Sequence, residues 1–207
     1  MKIHVKICGI TRAGDAVIAE SLGASAVGFV FYPKSPRYIT PESAGRISVG
    51  LGPFVARVGV FVDEEPSIVM KTVHDAKLTA VQLHGAEDND YIEKLHGISV
   101  IKAFRIDPAF DCQSVNGYKA DAFLFDAYVK DGSYGGTGET FDWNKIEDCK
   151  KYGKIILAGG LNAANISDAV KTVSPWAVDV SSGVEKSPGI KDHGKLKEFF
   201  EALDFNC

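Results

Sequence analysis

The sequence has few cysteines and no motif built from them. Its 207 residues contain only 4 cysteines, alongside 2 methionines and 2 tryptophans. The cysteines form no CxxC pair and lack metal-ligand spacing, so neither a structural zinc site nor any other metal site is predicted. We instead expect reduced thiols, as in a cytosolic protein, at Cys8, Cys112, Cys149 and Cys207.

Long runs of positive charge and of apolar residues are also missing. Lys and Arg number 23 against 27 Asp and Glu, for a formal net charge of −4. Because the basic residues do not cluster, a nucleic-acid partner is not expected. The longest apolar stretches, such as residues 26–32, are too short to span a membrane, so no membrane partner is expected either.

The composition is that of an ordinary folded domain. Hydrophobic residues make up 45% of the chain and charged residues 24%, which argues against disorder. The N-terminus leads directly into a strand-like run, so we expect no signal peptide and a cytoplasmic location. No linker or low-complexity tract divides the sequence, which predicts a single domain over residues 1–207.

Short apolar runs alternate with amphipathic segments along the whole chain. Several runs are apolar on both faces, which is typical of parallel strands covered by helices. The predicted strands are His4–Cys8, Ala26–Phe31, Ala56–Val62, Ala80–Leu83, Val100–Phe104, Ala122–Asp126, Lys154–Ala158 and Ala177–Val180. The predicted helices are Ala13–Leu22, Pro41–Val49, Glu65–Val73, Asp90–Leu95, Asn144–Lys151, Asn165–Val173 and Lys195–Leu203, with the weakest signal between Asp107 and Lys119.

Eight strand–helix units in a chain of this size predict an α/β protein with a single-domain (β/α)₈ TIM barrel of parallel strands. The main competitor is an open doubly wound sheet, which usually carries a glycine fingerprint after its first strand. Here the first strand ends in Cys8-Gly9-Ile10-Thr11, which is not that fingerprint.

The barrel predicts where the active site lies, because it forms at the C-terminal ends of the strands. The polar or reactive residues at these ends are Cys8, Arg37, Asp63, Gln82, His84, Arg105, Asp126, Asp179, Ser181 and Ser182.

The loops after the seventh and eighth strands carry the strongest local signal. Gly159 and Gly160 follow one strand, and Ser181, Ser182 and Gly183 follow the next. Glycines let backbone N–H groups approach an anion, and a short helix starting after Ser182 would add its dipole. These two loops commonly bind phosphate in TIM barrels, although the glycines could also be ordinary turn residues.

Cys8 and Asp126 form a second candidate pair, because each ends an apolar strand. A thiolate can remove a proton from carbon, and a carboxyl group in a partly desolvated site can donate one. The alternative is that Cys8 is inert packing. Arg37 could clamp a substrate carboxylate in bidentate fashion or be a solvated loop residue. His84 is more often a structural histidine, and the glycine-rich segment 134–138 could cover the site or simply be mobile.

A series of motifs runs in order from residue 5 to about residue 200. The segments are Val5-Lys6-Ile7-Cys8-Gly9-Ile10-Thr11, residues 28–39, 58–62, 81–85, 135–138, 141–143, Ala158-Gly159-Gly160-Leu161-Asn162, residues 178–185 and residues 188–192. Together these segments resemble the motifs of the phosphoribosylanthranilate isomerase family.

The resemblance implies a cofactor-independent Amadori rearrangement in tryptophan biosynthesis. The family converts N-(5-phosphoribosyl)anthranilate, a small phosphorylated molecule, to 1-(2-carboxyphenylamino)-1-deoxyribulose 5-phosphate. It implies that Cys8 is the general base, Asp126 the general acid, and Arg37 a contact of the anthranilate end. It also implies that the substrate-binding residues include Gln82, Asp179 and the two phosphate loops. The state of assembly stays open between monomer and homodimer.

Other functions fit the sequence less well. Indole-glycerol-phosphate synthase needs a catalytic lysine and glutamate set and a longer N-terminus. The histidine-pathway sugar isomerase has an aspartate where Cys8 stands. A non-catalytic barrel that binds a phosphate metabolite would keep the two loops while replacing Cys8 or Asp126, and both residues are present.

Overall fold

The fold is that of a computed structural model, which describes residues 3–127 and 140–204. Eight parallel strands, β1 to β8, pair in chain order and close on themselves through β1 and β8. The predicted TIM barrel is therefore confirmed. The strands are β1 (His4–Ile7), β2 (Ala26–Val30), β3 (Ala56–Phe61), β4 (Ala80–Leu83), β5 (Ser99–Ile106), β6 (Ala122–Ala127), β7 (Ile155–Leu157) and β8 (Ala177–Val180).

The connections carry the predicted helices, most of them close to the predicted bounds. Thr40 caps α2 by accepting a hydrogen bond from the Ser43 N–H, and Pro41 occupies the first turn, where its missing N–H costs nothing. The α-helices are α1 (Ala13–Ser21), α2 (Pro41–Val49), α3 (Pro66–Asp75), α4 (Asn89–Ile92), α5 (Ile166–Val173) and α6 (His193–Asp204). Of the helices in these ranges, none is both long and apolar enough to cross a membrane.

Two connections are 3₁₀ rather than α-helical, which corrects the helix predicted at Asn144–Lys151. The connection after β6 ends in a 3₁₀ helix, Trp143–Tyr152, and the one after β5 holds another, Cys112–Val115. In the longer one only Ile146 and Cys149 are buried. Side chains three residues apart align along a 3₁₀ helix, so this spacing suits the tighter winding.

The prediction that all four cysteines are reduced is wrong. Cys112 and Cys149 form a disulfide, with their Cα atoms 5.1 Å apart. It joins the two 3₁₀ helices, which successive connections of the barrel place side by side. Their sequence separation of 37 residues matches no short motif, so only the fold reveals the pair. Among the described cysteines, Cys8 is the free thiol.

Alternation along each strand separates two packing environments. Phe29, Phe61 and Phe125 belong to the large core between the strands and the helices. The residues next to these phenylalanines on each strand point the opposite way, into the barrel. There, small and medium side chains form the inner core, namely Ala103, Ala122, Leu124, Ile156, Ala158 and Ala177. Several of the inward residues nearer the C-terminal ends of the strands are polar, and they line the candidate site.

A short hairpin, which the sequence does not predict, follows β8. It consists of β9 (Glu185–Ser187) and β10 (Ile190–Lys191), which pair antiparallel before α6 begins. Its base is tied to the first connection of the barrel, because the Lys191 N–H donates to Asp15 and His193 contacts the same carboxylate. The hairpin thereby brings Glu185 and Lys191 next to the barrel mouth.

Candidate active site

A cleft that is partly open to solvent lies at the C-terminal ends of the strands. This is the place that the barrel fold predicts for an active site. The lining includes most of the side chains that the sequence predicts for this end of the barrel. These are Cys8, Arg37, Gln82, His84, Gly159, Gly160, Asp126, Asp179, Ser181 and Ser182, with Val30, Val60 and Ala158 among the apolar neighbours.

Cys8 follows β1 and faces the cleft from a buried position. Its backbone N–H donates to the Val180 carbonyl, which continues the pairing with β8. A Cβ placed on Gly28 would lie 2.9 Å from the Cys8 Sγ, so the bare glycine on β2 leaves the thiol its space. Burial raises the pKa of the Cys8 thiol, although nearby Lys6 opposes that rise.

Asp126 lies on β6 and enters the same cleft, buried like Cys8. One carboxylate oxygen accepts a hydrogen bond from the Ala127 N–H at 2.9 Å, and the other lies 3.5 Å from the His84 Nε2. The His84 Nδ1 is in turn 3.0 Å from the Gln82 amide nitrogen. His84 thus faces the carboxyl group in the cleft, and its interpretation as a structural residue stays a prediction.

Arg37 is buried, not solvated, and one edge of its guanidinium is already engaged. Its Nε lies 2.9 Å and its Nη2 2.7 Å from the two carboxylate oxygens of Glu185. Lys191 donates to the same carboxylate at 2.9 Å. Glu185 therefore holds this edge of Arg37 while the residue lines the cleft, so its role as a clamp for a substrate carboxylate stays a prediction.

Glu185 holds two cations together, and its loss is expected to be costly. Burial alone would raise its pKa, but hydrogen bonds from Arg37 and Lys191 prevail and lower it. Its contribution to stability is therefore present above the ordinary pKa of a glutamate and is lost as the pH falls through the lowered value. We expect Glu185→Gln to lower the free energy of unfolding by about 3 kcal/mol, because two buried cations lose their counter-charge. Urea denaturation at neutral pH measures this.

The matched control is Glu201→Gln on α6. Glu201 is 3.7 Å from Lys197, and both side chains are more than half exposed. Exposed pairs contribute little, so this variant should unfold within about 0.5 kcal/mol of the parent. Equal denaturation midpoints for the two variants would contradict the structural role of Glu185.

The loops after β7 and β8 pack directly on one another. Gly159 and Gly160 have φ of +85° and +61°, a region that glycine enters without strain. A Cβ on Gly183 would lie 1.9 Å from the Leu161 carbonyl oxygen, so this close approach requires a glycine. The 3₁₀ helix Ser182–Val184 begins at this contact, as the sequence predicts. The two predicted phosphate loops therefore form one continuous wall of the cleft.

Other candidates at the strand ends are placed differently. Asp63 accepts a hydrogen bond from the Ala86 N–H at 2.6 Å, and neither it nor Arg105 lines the cleft. Asp179 does line it, but one carboxylate oxygen lies 2.9 Å from Lys6 Nζ. The glycine-rich segment 134–138 lies outside the described residues.

Sequence reasoning missed Lys6 and Glu185. Lys6 is two residues before Cys8 and so shares its strand face, a signal that was available. Glu185 lies 148 positions from its partner Arg37, and no local pattern connects them.

Comparison with known proteins identifies the family. The family model described as N-(5'phosphoribosyl)anthranilate (PRA) isomerase matches residues 5–202. The chain is 48% identical over 201 residues to N-(5'-phosphoribosyl)anthranilate isomerase of Thermotoga maritima, covering 96% of this chain and 97% of that protein.

Solved structures agree with the sequence match. The chain is similar to phosphoribosyl anthranilate isomerase in complex with reduced 1-(o-carboxyphenylamino)-1-deoxyribulose 5-phosphate, at 43% identity with a TM-score of 0.86. It is equally similar, at 43% identity and a TM-score of 0.87, to monomers generated from the dimeric enzyme of Thermotoga maritima. Each alignment covers 98% of this chain and 99% of the other.

Proposed function

The chain belongs to the N-(5'-phosphoribosyl)anthranilate isomerase family, and from this premise we propose that Cys8 and Asp126 are the base and acid of its reaction. It is an isomerase of tryptophan biosynthesis that performs an Amadori rearrangement. The observation that carries the assignment is the convergence of the two side chains, from opposite parts of the barrel, on one cleft.

The cleft suggests how the phosphorylated substrate lies. The phosphate binds the wall formed by Gly159, Gly160, Ser181 and Ser182, where backbone N–H groups can approach an anion. Gly183 does not line the cleft but allows the two loops to pack closely at Leu161. The anthranilate end then lies toward Arg37, which is held in place by Glu185. Between them the ribose spans Cys8 and Asp126, within reach of Gln82 and Asp179.

Asp126 acts first by protonating the ribose ring oxygen. The bond between C1 and the ring oxygen then breaks, and the lone pair of the anthranilate nitrogen forms a C1=N double bond, which gives the iminium. His84, 3.5 Å from the carboxylate, and the Ala127 N–H at 2.9 Å restrict the orientation of Asp126 during this step. A fixed donor within hydrogen-bond reach is what general acid catalysis requires.

Cys8 completes the rearrangement as the base. The iminium acidifies the proton on the C2 carbon, so a thiolate is strong enough to remove it. The electron pair of the broken C–H bond moves into a C1–C2 double bond and neutralises the iminium nitrogen. The resulting enolamine then tautomerises to the ketone product. Atoms and electrons are conserved through these steps, so none of them needs a cofactor.

A direct assay separates this function from a non-catalytic phosphate-binding barrel. The purified protein is mixed with N-(5-phosphoribosyl)anthranilate, and loss of the fluorescence of the substrate is followed, with formation of the aminodeoxyribulose phosphate verified by mass spectrometry. We expect turnover. Binding of the reduced product analogue without any turnover of the substrate would instead support the non-catalytic alternative.

We propose that the small phosphorylated molecule turned over by the family is the partner of this chain as well. The absence of nucleic-acid and membrane partners stays a prediction. So does the cytoplasmic location, and one of its premises, the reduced state of all cysteines, is wrong.

Between monomer and homodimer, we propose the homodimer. The relative from Thermotoga maritima with 43% identity is described as dimeric. In this chain Phe54 is 96% exposed, and it lies beside a mainly apolar cleft at the N-terminal ends of the strands. An aromatic side chain so exposed is typical of an interface.

A single substitution tests the homodimer. Sedimentation equilibrium should give twice the chain mass of 22.3 kDa for the parent and the chain mass itself for Phe54→Asp, because a buried carboxylate opposes association. The control is Ile68→Asp. Ile68 is also an exposed apolar residue, but it lies on α3, so this variant should remain a dimer. A parent that sediments as a monomer at micromolar concentration would overturn this proposal.

A further inference from the structure

Lys6 is a buried lysine that the mechanism above does not use. It lies on β1 in register with Asp179 on β8, and its Nζ is 2.9 Å from the Asp179 carboxylate. The two side chains are only 4% and 9% exposed. Burying a charged pair is expensive, and such a pair often contributes little to stability over an apolar one. Stability alone therefore does not explain why Lys6 carries a buried charge at this site.

Lys6 and Cys8 are neighbours inside the barrel. Lys6 lies on β1 and Cys8 follows two residues later, where the pairing with β8 continues, so both side chains point to the same face. A Cβ on Gly28 would lie 3.1 Å from the Lys6 Cε and 2.9 Å from the Cys8 Sγ. The bare glycine thus opens one shared space for the ammonium group and the thiol, with Asp179 on its other side.

The buried thiol of Cys8 ionises more readily when a positive charge lies near it. Burial raises the pKa of Cys8, whereas Lys6 and, less strongly, Lys191 lower it and Asp179 raises it. Other charged or titratable groups around the cleft are Arg37, His84 and Asp126. Burial also lowers the pKa of Lys6, but attraction to Asp179 and Cys8 outweighs it, so the pKa is raised and the ammonium stays charged.

We propose that Lys6 is a positioning residue whose ammonium group stabilises the thiolate of Cys8, and that Asp179 holds the ammonium group in place. The inference rests on the proposed function for its purpose, since a base must be deprotonated before it acts. In the free enzyme the thiol proton leaves to solvent and Lys6 keeps its own. The thiolate then takes the C2 proton of the substrate, and Lys6 transfers no proton at any step.

Titration of the thiol without substrate tests the proposal. Ionisation of Cys8 is followed by the pH dependence of iodoacetamide alkylation, in a Cys207→Ser background that removes the cysteine outside the described residues. Lys6→Met should raise the apparent pKa of Cys8 by about one unit or more, since an opposite charge nearby favours the ionised form by that amount.

The matched control is Lys102→Met. Lys102 on β5 is as buried as Lys6 and is also ion-paired, 2.7 Å from Glu87. Its loss removes a buried lysine of the same kind without touching the neighbourhood of Cys8, so the alkylation profile should stay that of the parent. Lys6→Arg keeps the positive charge and should hold the pKa of Cys8 within about half a unit of the parent.

The results separate this inference from the proposed function. If the alkylation profiles of Lys6→Met and the parent coincide, Lys6 does not stabilise the thiolate. If Lys6→Met fails to fold, Lys6→Gln takes its place in the same titration, and a pKa of Cys8 equal to that of the parent in this variant overturns the proposal. A third outcome is that Lys6→Met raises the pKa of Cys8 as expected, but the acidic limb of the pH profile of kcat/KM does not shift with it. In that case Lys6 acts as proposed and Cys8 is not the base.

Discussion

Cys8→Ala should lower kcat by about 10²–10⁴-fold, the range expected when a proton-transfer group is removed. The cleft would keep its phosphate wall, so KM should change little. The parent rate should rise with pH over the range in which the thiol ionises, and burial places that range above the ordinary pKa of a cysteine. Steady-state kinetics between pH 6 and about 10 should show this limb in the parent and its loss in the variant.

The control for this substitution is Cys207→Ala, at a cysteine to which we assign no role. It should keep parental kinetics, and circular dichroism should show that Cys8→Ala is folded. Cys8→Ala creates only a small void at a site that is open to the cleft, so its unfolding free energy should fall little. Parental turnover by Cys8→Ala would remove Cys8 as the base.

The barrel and the position of its site were accessible from sequence because both depend on local, repeated signals. Each strand is a short apolar run, and a parallel barrel places every strand end at the same mouth. That rule alone brings Cys8, Asp126 and Asp179 together, and the structure confirms that all three line one cleft. Their chemical roles stay predictions until they are measured.

What the sequence could not supply depends on contacts between distant segments. Glu185 reaches Arg37 only because the β9–β10 hairpin folds back over the barrel mouth. Cys112 and Cys149 pair only because two successive connections lie side by side. The composition rule that assigns reduced thiols to cytosolic proteins cannot detect either kind of proximity.

Local winding was the other source of error. Residues 144–151 have the polar and apolar pattern of an amphipathic α-helix, yet the buried pair Ile146 and Cys149 fits a 3₁₀ helix as well. A spacing of three residues occurs in both helix types, so the pattern does not separate them. The position of His84 could not be predicted either, because only the fold reveals that its ring faces Asp126.

Asp126→Asn is expected to have an effect as large as that of Cys8→Ala, about 10²–10⁴-fold on kcat. The amide has nearly the shape of the carboxyl group, and its oxygen can still accept the hydrogen bond from the Ala127 N–H. It has no proton to give to the ribose ring oxygen at any pH of the assay. Ring opening should therefore become rate-limiting, whereas binding of the reduced product analogue, which has no ring to open, should be retained.

Asp63→Asn supplies the matched control, because Asp63 also follows a strand at the barrel mouth but does not line the cleft. Its side-chain oxygen would keep the hydrogen bond from the Ala86 N–H, so kcat should stay within about twofold of the parent. Stopped-flow fluorescence then separates the two catalytic steps. If Asp126→Asn turns over like Asp63→Asn, the ring oxygen is protonated by another group, and His84, 3.5 Å from Asp126, is the first one to substitute.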